Sequence, residues 1–183
     1  MELWFAKILR DAFALAAADS YKPLKEVAAG TLAVLLSDRG LSMSASRIEQ
    51  MLQGFAELTP HSDVLSAFAR LYDIGIRIAT LTNGSAENTR TLLEKAGLIG
   101  YVEHVISIEE IKVWKPRKQV YLHAAHVLHV GPQELALVAA HAWDCHGAKQ
   151  AGLITGWVQR EETRFQPTML PTGHKRKDFA GGL

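Results

Sequence analysis

Cysteine is almost absent. Cys145 is the only one, so no disulfide can form within the chain, and a reducing, cytoplasmic setting fits best. No apolar run approaches the ~20 residues that a membrane-spanning helix needs. Charge of one sign is not in excess either. The formal net charge is +1, which gives no reason to expect nucleic acid or a membrane surface as the main partner. Residues 1–19 are apolar but carry Glu2, Lys7, Arg10 and Asp11 at helical intervals. They do not form a signal peptide, which would need a compact apolar region and a small-residue cleavage site after a basic start. The sequence has no internal repeat. What it does have is 183 residues, 48% hydrophobic and 21% charged. That suffices for a packed core in one domain, or one domain with a small cap, and excludes wholesale disorder.

The first third reads as helices. Phe5, Leu9, Ala12, Phe13 and Ala16 recur on one helical face. A second helix is predicted to open at Pro23, with Leu24, Val27, Ala28, Thr31 and Leu35 inward and Gly40 at its end. A third is predicted over 46–58, started by a capping box of Ser46 and Glu49, with Ile48, Met51, Leu52 and Phe55 as its stripe. A fourth is predicted from Asp63, a good N-cap, to just before Gly75.

Beyond Gly75 the period changes. Short apolar strands are predicted at 76–82, 102–107, 135–140 and 153–158, with helices ending at Gly97 and spanning 117–129. The strand at 135–140 is nearly all apolar, as a strand buried on both faces should be. Strands alternating with helices predict an α/β fold with a Rossmann-like parallel sheet. Ligands in such sheets bind at the carboxyl ends of the strands. After Val158 the pattern fades. Residues 159–183 read as a C-terminal extension, and the basic run His174-Lys175-Arg176-Lys177 as a solvated tail.

Three clusters fall at strand ends. Thr82-Asn83-Gly84-Ser85 offers a hydroxyl, an amide and a tight turn, which together can hold an anionic oxygen; alone, Asn-Gly after a strand is ordinarily a turn. Lys115 precedes Pro116, which keeps it out of helical conformation, and Tyr121 lies six residues on. A lysine placed there can neutralise a carboxylate or an oxyanion. Its ordinary alternative is a surface lysine before a helix. His141-Ala142-Trp143-Asp144 ends the strand predicted at 135–140. A carboxylate there is unfavourable unless paired or functional. Asp144 could orient Lys115 or a water, or simply cap the next helix. His141 could be a base or a polar orienter, or a surface histidine.

The order and spacing of these clusters, with Leu3-Trp4 and the helices that follow, resemble the type II (L-)2-haloacid dehalogenases of the haloacid dehalogenase superfamily over roughly residues 3–158. The resemblance implies a helical cap at 1–60, an α/β core at 61–158 and an extension at 159–183. It also implies hydrolytic carbon–halogen cleavage, in which an aspartate attacks the carbon and water hydrolyses the ester. Neither metal nor cofactor is implied. By the same resemblance Lys115, Asp144 and Tyr121 are the catalytic set. Thr82, Asn83, His141, Trp143 and Phe5 fall at substrate positions. The partner implied is a small organic acid of the 2-haloacid kind, and a homodimer is a candidate assembly.

Four departures stand against that pattern. No Asp-x-x-Gly-Thr occurs, and Asp11, Asp19, Asp38, Asp63, Asp73 and Asp178 lack that context. The family's nucleophile-bearing first strand, central in its sheet, is therefore expected to be missing from this chain. Phe5 and Ala6 stand where the family has a halide-receiving arginine and a polar neighbour, leaving Lys7 or Arg10 as substitutes. His141 replaces an asparagine, and Ala139 a serine. Three explanations of the first departure remain open: a piece of a full enzyme, a natural non-catalytic interaction module, or a role for Asp144 in the chemistry.

Overall fold

The computed structural model describes residues 2–176, which form two compact units, each discontinuous in sequence. The first comprises Met1–Pro60, Leu81–Ile99 and Val105–Trp114; the second His61–Thr80, Gly100–His104 and Lys115–Leu183. Seven α-helices and five strands are present among the described residues.

The first unit opens with α1 (Glu2–Ala17) packed on α2 (Leu24–Ser37), which in turn packs on α3 (Ala45–Gln53). The buried face of α1 is Ile8, Ala12 and Ala16, so the stripe is rotated from the predicted one, and Phe5 is 40% exposed. Ala12 and Ala16 of α1 and Ala28 of α2 are buried in this packed pair, and small side chains favour close helix packing. Trp4 closes the pair by donating its indole N–H to the Ala28 carbonyl and the Thr31 hydroxyl, both at 3.1 Å. The helix predicted over 46–58 is shorter. It begins at Ala45, and a tighter turn follows over Gly54–Glu57. Its cap is Ser44, whose hydroxyl accepts from the Arg47 N–H, while Glu49 pairs with Lys25; the Ser46–Glu49 box does not form.

β1 (Ile78–Thr82) and β2 (Val102–Ser107) make a two-stranded sheet. Between them lies α5 (Ala86–Lys95), capped by the Ser85 hydroxyl accepting from the Asn88 N–H at 3.2 Å. Gly97 ends that segment at φ +68°, a conformation that glycine adopts without strain.

The second unit contains α4 (Val64–Asp73), α6 (Lys118–Val127), β3 (Ala136–Ala139), α7 (Ala142–Gln150), β4 (Ile154–Val158) and β5 (His174–Arg176). β3, β4 and β5 are parallel, in that order, and α7 packs on β3 and β4. Two expectations are corrected here. β3 alternates between exposed and half-buried positions instead of being buried throughout, because β4 is its sole ladder partner among the described residues. The basic run is no solvated tail over 174–176, where it pairs with 156–158 of β4; Lys177 and Asp178 lie outside the described residues. Asp63 precedes α4 but caps nothing with its side chain. Both its oxygens instead accept from one nitrogen of the Arg160 guanidinium, Nη2, at 2.8 and 2.9 Å, a charge-assisted pair.

Candidate active site

Asp144 sits in the first turn of α7, directly after β3, where a parallel sheet presents its ligand-binding edge. Lys115 and Asp144 are 5% and 7% exposed, and Tyr121 is wholly buried. The Lys115 ammonium donates to Asp144 Oδ2 at 2.9 Å, and the Tyr121 hydroxyl donates to Oδ1 at 2.7 Å. Each carboxylate oxygen therefore accepts a short bond, and the buried negative charge is matched by a positive one. Burial raises the Tyr121 hydroxyl far above the usual phenol range, and the adjacent Asp144 charge adds to this. Tyr121 thus stays a donor.

Gly147, one turn beyond Asp144, lets this happen. A methyl group there would lie 2.6 Å from Pro116 Cβ, 2.7 Å from the Pro116 carbonyl oxygen and 2.7 Å from the Tyr121 hydroxyl. The helix bearing Asp144 can approach the Lys115–Pro116 segment only because no Cβ intervenes.

Cys145 is fully buried, and burial pushes its thiol up to about 12, with the Asp144 charge acting in the same direction. The unfolded thiol ionises near its ordinary value of 9.0. Its contribution to stability is therefore present below about pH 9 and is lost as pH rises towards about 12. We expect no reaction of the native chain with an aromatic disulfide reagent at pH 8, and one equivalent on unfolding in guanidinium. Stoichiometric reaction of the folded protein would contradict this burial.

The other predicted residues are placed as follows. His141 is the N-cap of α7, and its Nδ1 lies 3.3 Å from Glu162 Oε1. Asp144 is thus not the cap. The Trp143 ring stacks on that of His141, centroids 5.5 Å apart and planes 13° apart. In the first unit, Thr82 Oγ1 accepts from the Gly84 N–H at 2.9 Å, and Asn83 Oδ1 is buried without a hydrogen-bond partner. Such an orphaned buried acceptor is rare. Phe5 stands on α1, half-exposed. Among the described residues, no group of three or more acidic, histidine or cysteine side chains is arranged to hold a metal. No helix among them is long and apolar enough to cross a membrane.

Sequence reasoning missed Glu162 and Ser107. Glu162 Oε2 accepts from the Ala142 N–H at 3.0 Å. The sequence offered one signal for it: His141 is a poor capping residue, so α7 needs a carboxylate from elsewhere. Ser107, nearly fully buried, donates to the Gly84 carbonyl at 2.7 Å and so ties the end of β2 to the turn after β1.

The haloacid dehalogenase-like hydrolase family model matches residues 5–152. The chain belongs to this family. Among curated relatives, (S)-2-haloacid dehalogenase H-109 of Pseudomonas putida is 30% identical over 126 residues, covering 69% of this chain but only 56% of that enzyme. The (S)-2-haloacid dehalogenase of Pseudomonas sp. strain YL is 26% identical over 164 residues, 90% of this chain and 71% of that one. A solved L-2-haloacid dehalogenase from Xanthobacter autotrophicus, with chloropropionic acid covalently bound, superposes with a TM-score of 0.89 at 25% identity. It covers 97% of this chain and 81% of its own. These matches establish the α/β, Rossmann-like core with a helical cap expected of the family.

Proposed function

We propose that this haloacid dehalogenase-like chain carries the charge-positioning part of a 2-haloacid dehalogenase site and releases no halide by itself. The buried Lys115–Asp144–Tyr121 cluster carries the reading. In hydrolytic dehalogenation an aspartate displaces halide, the resulting ester is cleaved by water, and a fixed ammonium beside the carboxylates stabilises the charge. Lys115 supplies that ammonium, with Asp144 and Tyr121 fixing its position. Asp144 is a poor candidate for the nucleophile, because both its oxygens are already bonded to donors. With no Asp-x-x-Gly-Thr in the sequence, the displacement step has no agent. By resemblance to the family, Thr82, Asn83 and Phe5 of the first unit and His141 and Trp143 of the second are assigned to substrate binding. On this reading 1–60 is the cap, 61–158 the core and 159–183 an extension, in a cytoplasmic protein assembling as a homodimer.

The test is halide release from 2-chloropropanoate and fluoroacetate by the purified chain, shown by circular dichroism to be folded. None is expected, and release is expected once a segment bearing Asp-x-x-Gly-Thr is supplied. Failure of the completed protein on every haloacid and ester would overturn the dehalogenase reading. Release by the chain alone that disappears in Asp144→Asn but persists in a Lys118→Ala control would instead make Asp144 the reactive group. The second reading, a non-catalytic interaction module descended from such a hydrolase, is favoured by one observation: β3 is hydrogen-bonded along only one edge among the described residues.

A further inference from the structure

Residues 159–173 join β4 to its parallel neighbour β5, a connection usually made by a helix, yet no helix forms there. This crossover instead runs along α7 and touches it at three levels. Glu162 meets its first residue, the Leu170 N–H donates to His146 Nδ1 at 3.1 Å, and the Pro171 carbonyl accepts from Lys149. Arg160 anchors the start of the segment to Asp63. Phe165 sets its ring edge-on to Trp157 of β4, centroids 5.8 Å apart.

We propose that Glu162 is a positioning residue of the site, acting on Asp144 through His141 and the first turn of α7. The proposal rests on the reading of Lys115, Tyr121 and Asp144 as the working cluster. An ionised carboxylate can only accept, so the 3.3 Å contact is a hydrogen bond only when His141 carries its proton on Nδ1. Glu162 therefore selects a tautomer as well as a ring orientation, and stacking on Trp143 holds the ring plane. The other carboxylate oxygen takes the Ala142 N–H, a donor at the helix start that the His141 side chain does not cap. The His141 carbonyl then accepts from the Asp144 and Cys145 N–H groups at 3.1 and 3.2 Å. One side chain thus fixes both faces of His141, and His141 fixes the backbone of Asp144. The negative charge also lies at the positive end of the α7 dipole.

The test reads these linkages without turnover, so it stands apart from any result on halide release. The full chain, labelled with nitrogen-15 and carbon-13, is compared with Glu162→Ala, Glu162→Gln and the charge-matched control Glu161→Ala. In the wild type the imidazole nitrogen shifts at pH 8 are expected to report the Nδ1–H tautomer of His141. In Glu162→Ala that tautomer should lose its dominance, the Ala142 amide should exchange about tenfold faster, and the Asp144 carboxyl carbon signal should move. Glu162→Gln has one acceptor oxygen and an amide donor where the carboxylate has two acceptors, so it should preserve one of the two linkages and lose the other. Glu161→Ala should change none of the three. An Nε2–H tautomer in the wild type would overturn the proposal. So would a folded Glu162→Ala chain in which the His141 and Asp144 signals stay in place, since a merely structural cap would alter the Ala142 exchange alone.

Discussion

Asp144→Ala is expected to lower the stability of the chain by about 3–5 kcal/mol, a large part of the roughly 5–15 kcal/mol that holds a typical domain folded. The reason is the debris the substitution leaves. The Lys115 ammonium, 5% exposed, loses the carboxylate that neutralises it, and the Tyr121 hydroxyl, fully buried, loses its acceptor. Transferring an unpaired charge from water into such a site costs more than the lost bonds themselves are worth. The same logic predicts that Lys115→Met combined with Asp144→Leu is far less damaging, because both charges leave together. Urea unfolding of the two single variants and the double one measures this. A double variant destabilised by the full sum of the singles would mean that the two side chains do not interact.

The second large effect is expected at Gly147. Within a helix, glycine to alanine ordinarily gains up to about 1 kcal/mol. Gly30 of α2 is such a position, with nothing within 4 Å of a built methyl group. At Gly147 the methyl would fall within 2.6–2.7 Å of Pro116 and the Tyr121 hydroxyl. Two of those three atoms belong to the Pro116 ring and the backbone, which have no flexible end to swing aside. Overpacking of this kind costs about 1–3 kcal/mol, enough to outweigh the helix preference. Gly147→Ala should therefore unfold at lower temperature than the parent and Gly30→Ala at higher. A Gly147→Ala chain as stable as the parent, with the Tyr121 hydroxyl still bonded to Asp144, would show that α7 can shift without loss.

Much of the candidate site could be read in advance because its residues are tied to strand ends. Apolar segments at 76–82 and 135–140 announced strands, though not their burial, and the polar residues directly after them fall at the strand ends. Lys115 and Tyr121, set six residues apart in the sequence, both reach Asp144. What escaped has a physical explanation. Ser42, Ser44 and Ser46 each offer a hydroxyl around the start of the same helix, and the choice among them depends on where the chain enters it, not on sequence. The exposed face of β3 depends on which strands pair beside it, which no local pattern records. Glu162 lies in a segment with no periodicity at all, so its partnership with α7 exists only in three dimensions.

The interleaving of the two units also sets a schedule for synthesis. Everything the first unit needs has left the ribosome once Trp114 emerges, whereas the second unit still awaits Arg160 to close its contact with Asp63, 97 residues upstream. At about 5–20 residues per second that wait lasts several seconds. Asp144 follows Lys115 by 29 residues, so for the first part of that wait the ammonium has no carboxylate and remains in water. Burial of the central charged pair thus follows synthesis of the whole first unit, and a ribosome paused between Trp114 and Asp144 would carry an ammonium whose carboxylate has yet to be made.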